Sequence, residues 1–343
     1  MVIPTRDRVR DLDELLHTIL AQTHLPFEVI VVDDSPIGSA KEVAKSLSRT
    51  FAAVGSKLRY MKADGDGLAA ARNLGTQSAC GDAIFFLDDD TLLLDRNVID
   101  SVAVFLASNP GALGVQTEIR EEISGSLSRF RSAISKVFML TYFEKNKLQV
   151  RRSGQSILPS NLTRVVLSQR LSGCSCYRRQ VFEELQFDTN LKRWSFMEDL
   201  DFSYRLCKSF PRSLYAIPSA WILHKESAKS RLTAELALHM RTIYWSYVFF
   251  KDIFEGSMQN LCAFLWALVG NIVAVIGAHA LESKTTRECW DLIYLTSSYL
   301  LVLMHLGEIM RGDLRFFNSI LFLPERSVEA NVRGPSDGQI SDR

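Results

Sequence analysis

Three consecutive carboxylates, Asp88-Asp89-Asp90, follow directly on the apolar run Ala83-Ile84-Phe85-Phe86-Leu87. A short run of aromatic and branched residues is the pattern of a buried strand. The acidic groups therefore stand at its C-terminal end, where their mutual repulsion calls for a cation. Alternate residues of an extended chain share a face. Asp88 and Asp90 would then offer two hard oxygen ligands to one divalent ion, and Mg²⁺ or Mn²⁺ would complete its shell with water and phosphate oxygens. Asp also favours caps and turns, so the triplet alone also fits an acidic turn before the next helix.

Four further groups could join this chemistry. Asp33-Asp34 ends the run Glu28-Val29-Ile30-Val31-Val32; a carboxylate there can accept a base N–H or a ribose hydroxyl, or can close an Asx turn. Arg72 and Asn73 lie in the small-residue segment Gly67 to Asn73 and could reach a base or a phosphate, or simply face solvent. His224, at the end of Trp221-Ile222-Leu223, could add a ring nitrogen to a metal site. Glu198-Asp199 opens a helix backed by Leu200 and Phe202. That placement suits the helix dipole, and equally suits a general base. Neither a Ser-His-Asp nor a Cys-His arrangement is evident.

The elements that position these groups alternate. Leu12, Leu15, Leu16, Ile19 and Leu20 recur at helical spacing, predicting a helix over 11–22. Strands at 2–3, 28–32, 58–61 and 83–87 and helices at 39–48 and 67–78 complete a β-α-β-α-β-α-β order. Near-continuous apolar strands imply an α/β fold with a mostly parallel sheet covered on both faces. Ligands of such sheets bind beyond the C-terminal strand ends, where Pro4-Thr5-Arg6, Asp33-Asp34 and the acidic triplet converge. The stretch 117–171 is less regular. A helix over 124–143 would carry Leu127, Phe130, Ile134, Val137 and Phe138 on one face, with Arg129, Arg131 and Lys136 forming a solvated basic face or a contact to anionic lipid or phosphate. Further on, the pattern gives a strand at 173–177, a helix at 179–185, a helix from Glu198 to about Lys208, and separate strands at 213–217 and 221–224.

Forty basic residues against 39 acidic ones give no charge excess that would point to nucleic acid as a partner. The six cysteines show no CxxC pair and read as free thiols in a reducing compartment. No basic segment followed by an apolar run marks a secretory signal. Residues 256–281 carry no charged side chain, and 292–307 form a second, shorter uncharged stretch. The pair is expected to be a membrane hairpin or re-entrant anchor, with a buried helical hairpin as the alternative. Lys284 and Arg287 sit between the two stretches and leave the positive-inside signal weak. The polar tail from Pro324 reads as disordered.

Taken in order, Val2 to Arg8, Glu28 to Ser35, Gly67 to Gly75, Phe85 to Thr91, Gly173 to Phe182, Glu198 to Leu206 and Trp221 to His224 resemble the motifs of family 2 glycosyltransferases of the inverting, GT-A kind. The resemblance implies a catalytic domain over 1–230, followed by a helical region with a membrane hairpin over 231–320 and a polar tail over 321–343. It implies that Asp88 and Asp90 hold Mn²⁺ or Mg²⁺, joined by His224, and that Asp89 belongs with the donor-binding residues. Asp33, Asp34, Arg72 and the backbone of Pro4 and Thr5 would take the nucleotide. Asp199 would be the catalytic base, with Glu198 turned to the acceptor. Such an enzyme would move a sugar from a nucleotide-sugar donor to a glycan or lipid-linked hydroxyl at the cytoplasmic face of a membrane. No Gln-x-x-Arg-Trp motif follows the base, which favours transfer of one sugar over polymerisation. A nucleotidyltransferase or a dinucleotide-dependent dehydrogenase would need glycines after the first strand, and Pro4-Thr5-Arg6-Asp7-Arg8 has none. A membrane-tethered binding module without catalysis is the remaining alternative.

Overall fold

The computed structural model describes residues 1–121, 129–225, 233–282 and 287–321. Strands β1 (Val2–Thr5), β2 (Glu28–Asp33) and β3 (Lys57–Lys62) form a parallel set in the order β1-β2-β3. Strand alternation divides their side chains between two cores. Ile3, Val29 and Val31 meet Leu12, Leu15, Leu16 and Ile19 of helix α1 (Val9–Leu20). Val2, Ile30 and Val32 face the other way. Helix α2 (Lys41–Ala53) links β2 to β3, and α3 (Leu68–Ser78) buries Ala69 and Ala71 against the second face. Within α3, Gly75 lies so close to β1 that a Cβ on it would stand 2.3 Å from Cγ1 of Val2. Only a glycine lets this helix seat there.

On the other side of β1 comes β4 (Ala83–Phe85), joined through a parallel bridge between Val2 and Phe86. The sheet then turns mixed. After β5 (Thr91–Leu92), α4 (Val98–Ser108), β6 (Gly114–Glu121) and α5 (Arg129–Val137) come three short strands, β7 (Tyr142–Glu144), β8 (Gln149–Val150) and β9 (Ser156–Pro159). These three make a small separate sheet in the order β7-β9-β8. Next follow β10 (Val166–Ser168), β11 (Cys176–Arg178), α6 (Val181–Glu184), α7 (Glu198–Ser209) and β12 (Leu214–His224). β11 inserts antiparallel between β4 and β6, whereas β12 runs parallel to β6.

Two local expectations change. The two strands expected at 213–217 and 221–224 are one strand, β12, whose register shifts between Ala216 and Trp221. Pro218 lies in that gap and has no N–H to donate to the ladder. The described helix in the basic stretch runs only from Arg129 to Val137; residues 124–128 of the expected helix lie outside the described residues. Met139, at φ 56°, ends it, and Tyr142-Phe143 suit a strand better than a helix.

The C-terminal part is helical: α8 (Ala234–Val248), a π-helical turn at Phe249–Ile253, α9 (Met258–Glu282), α10 (Arg287–Met304), α11 (Leu306–Met310) and α12 (Arg315–Leu321). It is no appendage. Leu191 and Leu200 share a core with Met240, Ile243, Tyr244, Val248 and Phe317, and the Trp245 indole N–H donates to the Ser153 carbonyl at 2.9 Å. One packed interior therefore crosses the boundary expected at residue 230. The tail expected from Pro324 and the link at Lys284 lie outside the described residues.

Candidate active site

The acidic triplet does not continue its strand. Pairing of β4 ends at Phe86, and the Thr91 backbone N–H and hydroxyl both donate to the Asp88 carbonyl, at 3.1 and 2.6 Å. The chain turns here, and the three carboxylates diverge. Asp88 is 29% exposed and opens on a cavity. Asp90 is buried: one oxygen accepts from Arg8 at 3.0 Å and the other lies 3.1 Å from Nε2 of His224. Asp89 accepts from the Thr5 hydroxyl at 2.8 Å and from Arg8 at 3.1 Å. Burial pushes the Asp89 carboxyl up to about 7; Arg8 opposes the shift and Asp90 adds to it. Arg8, which sequence reasoning passed over, thus ties two members of the triplet together.

Asp33 and Asp34 go separate ways because neighbouring strand residues point to opposite faces. Asp34 lines the cavity, where Arg6 donates to its carboxylate at 3.0 Å. Asp33 is fully buried and does not line it. Its oxygens accept from the backbone N–H of Ser35 and Ala40, at 2.9 and 2.8 Å, and from the Tyr60 hydroxyl at 3.2 Å. It fastens the turn into α2, and of the pair only Asp34 reaches the cavity. Asn73 is likewise structural: its amide exchanges hydrogen bonds of 2.9 Å with the Phe187 backbone. Pro4 and Thr5 line the cavity as expected from their place at the end of β1.

Arg72 also stands apart from the cavity wall. It is 1% exposed and packs over the rings of Phe86 and Phe187. One guanidinium nitrogen donates to Asp88 at 2.8 Å and the other to Glu198 at 2.6 Å. A single buried cation therefore joins the acidic turn to the start of α7. Gly173 makes room for the pair, since a Cβ there would meet Arg72 at 2.6 Å and Asp88 at 3.0 Å. Burial pushes the Glu198 carboxyl up to about 8, against the pull of Arg72 and with a further push from Asp199. Glu198 is thus first an anchor for Arg72. Asp199 sits beside it on the cavity wall, with one oxygen taking the Leu200 N–H at 2.6 Å and the other the guanidinium of Arg170. Arg170 itself donates to the Ser156 hydroxyl of β9 at 3.0 Å. No local signal marks Arg170 in the sequence, because its partner lies 29 residues away.

The segment before α7 fixes these carboxylates by its backbone. Arg193, Ser195 and Met197 all have positive φ, at 56°, 46° and 83°. The Arg193 carbonyl accepts the first N–H of α3, from Leu68, at 2.8 Å, and the Ser195 hydroxyl accepts that of Ala69 at 3.3 Å. This loop caps α3 in trans and so sets α3 and α7 against each other. Trp194 and Phe196 of the same loop line the cavity, as do Ser156 of β9 and Thr141 and Gln155 just before β7 and β9.

The cavity has a volume of about 560 Å³, and Asp88, Asp90, His224, Asp199 and Arg170 all line it. This is the size range of small-ligand sites. Among the described residues no three His, Cys, Asp or Glu side chains converge as a closed metal cage. An open site is nevertheless what Mg²⁺ and Mn²⁺ use, with one or two carboxylates and the rest from water and phosphate. Asp88, part-exposed on the cavity that Asp90 and His224 also line, can serve as such a carboxylate.

With this geometry in hand, the family model for glycosyl transferase family 2 matches residues 1–186. The chain belongs to that family. It has the GT-A fold. An uncharacterised glycosyltransferase of Rickettsia felis is 36% identical over 109 residues, 32% of this chain and 17% of that protein. The uncharacterised glycosyltransferase YwdF of Bacillus subtilis is 37% identical over 90 residues, 26% of this chain and 31% of that protein. The chain therefore matches about a sixth of the first relative and under a third of the second. Among solved structures, residues 1–349 of TarS from S. aureus align over 96% of this chain and 90% of that one, with a TM-score of 0.52 and 14% identity. The mannosyltransferase PcManGT from Pyrobaculum calidifontis, in complex with GDP-Man and Mn²⁺, aligns over 94% and 86%, with a TM-score of 0.53 and 16% identity. Likeness at this identity is one of fold.

Proposed function

We propose that this glycosyltransferase moves one sugar from a nucleotide-diphospho-sugar to an acceptor hydroxyl by direct displacement with inversion, with Asp199 as the base. The observation that supports this reading is the placement of Asp199 on the wall of the cavity that also holds the acidic turn, the two being linked through Glu198, Arg72 and Asp88. The acceptor oxygen would bond to the sugar's anomeric carbon as the bond to the diphosphate breaks. The hydroxyl proton would pass to Asp199, and the bonding electrons would leave with the diphosphate. Arg170 and the Leu200 N–H hold Asp199 in one orientation for that transfer.

Asp88 and Asp90, with His224, would hold a divalent ion, Mn²⁺ or Mg²⁺; when bound, the ion would neutralise the departing diphosphate. The complexes of structural neighbours with GDP-Man and Mn²⁺ and with UDP-GlcNAc accord with such a donor. Asp34, Pro4 and Thr5 would receive the nucleotide end. The acceptor side lies under Trp194, Phe196 and the small sheet, and a glycan or lipid-linked hydroxyl at a membrane suits the apolar helices beyond it.

Substitution tests the base directly. Asp199→Asn is expected to lower kcat by a factor on the order of 10³ or more, within the range for loss of a positioned base, with donor binding by calorimetry unchanged. Unchanged turnover would remove Asp199 from the role. Chelation by EDTA is expected to abolish donor binding in the same calorimeter, and full affinity without metal would refute the assignment of Asp88 and Asp90.

A further inference from the structure

Helix α9 is apolar on every side: Met258–Gly277 has a mean hydropathy of 1.9 and is long enough to cross a bilayer. Packing divides it into two unlike faces. Ala263, Phe264 and Ala267 are buried, with the Phe264 ring 4.1 Å from that of Phe249 and 4.8 Å from that of Trp245. Gly270 lies against Phe138, where a Cβ would stand 2.2 Å from the Phe138 Cβ. The opposite stripe, Met258, Leu265, Val269 and Ile276, is 46–65% exposed, as is Trp266 at 46%. Helix α10 lies against α8 and α9 and adds Ile293, Leu300 and Leu303 at 52–68% exposure. More than half of the large apolar side chains exposed among the described residues fall within 258–320, far beyond the scatter of an ordinary soluble surface.

We propose that α9 and α10 lie in the plane of an anionic phospholipid surface, outer stripe down, and do not cross the bilayer. A crossing helix is surrounded by lipid, but the inner face of α9 is laid along the catalytic body. Trp245, which packs on it, bonds the backbone of the irregular turn at Ser153. Spanning would carry that turn to membrane depth, where non-helical backbone at a lipid-facing wall is not sustained. The charge at the rim matches the headgroups. Arg131 and Lys136 are exposed on α5, which meets α9 through the stack of Phe138 on Trp266, and exposed Arg152 bonds Gln259 in the first turn of α9. Basic groups flanking an apolar helical face, with a tryptophan at its border, are the features of an interfacial helix.

The seat brings the chemistry close to the lipid. Gly154 lines the cavity, and a Cβ on it would stand 3.1 Å from the Trp245 indole nitrogen. One indole and one helix, about 10 Å thick, separate the cavity wall from the surface. Resting on the transfer reading above, this places the acceptor hydroxyl on a molecule held at that surface.

The test uses the full chain with vesicles of phosphatidylcholine, alone and mixed with phosphatidylglycerol. Expected are sedimentation with the mixed vesicles, release at alkaline carbonate pH, and tryptophan quenching by lipids brominated near the headgroup but not near the chain ends. Leu265→Glu with Val269→Glu is expected to weaken vesicle binding by about tenfold or more, leaving the melting curve and donor binding unchanged. Ile37→Glu, at an exposed apolar position in the catalytic domain, is the control and keeps wild-type binding. Carbonate resistance with deep quenching would overturn the proposal in favour of a spanning hairpin. Absence of vesicle binding would overturn it too, with a concentration-dependent dimer identifying a second copy as the occupant. Donor binding is read separately, so failure of the seat and failure of the transferase reading are distinguishable.

Discussion

Arg72 and Arg8 each hold two carboxylates that would otherwise repel one another in a partly dry pocket, and Arg170 holds a single one, Asp199. Arg170 is the one whose loss separates orientation from binding. It fixes Asp199 from a loop that also touches the small sheet through Ser156, yet it lies away from the acidic turn. Arg170→Gln is expected to lower kcat about a hundredfold through misplacement of the carboxylate, with the donor dissociation constant unchanged. Arg170→Lys should recover part of the loss, because one charged hydrogen bond remains. Equal loss in both variants, accompanied by weaker donor binding, would make Arg170 a donor ligand instead. The sequence disclosed the carboxylates because runs of Asp after apolar strands are rare in a core. It concealed their partners, since an arginine's meaning depends on what folding brings to it. Arg72 looked like a ligand-facing cation and is a buried tie.

Among the elements, the start of α7 is held from two sides. Its start is set by the loop at 193–197. Its first turn is clasped by the π-helical turn, whose Lys251 donates to Asp201 and Asp188, each at 2.5 Å, while Arg205 of α7 itself donates to Asp201 at 2.7 Å. Asp252 of that turn is buried with one oxygen unpartnered. Burial, then the charge of Asp201, pushes its carboxyl up to about 8, although Lys251 and Arg205 pull the other way. The folded chain therefore binds a proton that the unfolded chain releases in the ordinary carboxylate range, and this part of the stability declines as pH rises towards about 8. The melting temperature of Asp252→Asn, followed from pH 5 to pH 8, should fall less steeply than that of the parent; parallel curves would refute the assignment. The alternating strands and helices of the first hundred residues were legible because their apolar periods are strong and local. The small sheet at 142–159 was not, as strands of two to four residues carry too little pattern to distinguish from a loop.

At the scale of the molecule, the sequence drew a line at residue 230 that the packing erases. Composition changes there, from mixed to strongly apolar, but Leu191 and Leu200 are buried only because α8 and α12 cover them. A chain ending at 230 is expected to be insoluble or to lack a cooperative melting transition, despite containing every carboxylate of the site. A soluble, cooperatively melting fragment that binds donor would show the helical layer to be dispensable. The bare stripe of α9 was equally hidden, because a helix apolar all round does not say which side meets protein. One further consequence reaches across the whole chain. Left-handed backbone at Arg193, Ser195 and Met197 disfavours β-branched side chains, whatever their polarity. In a saturation library these three positions should tolerate glycine and asparagine and reject valine, isoleucine and threonine. The limits on substitution near the cavity carboxylates are then written in torsion angles, and a substitution matrix based on hydrophobicity or charge would misjudge them.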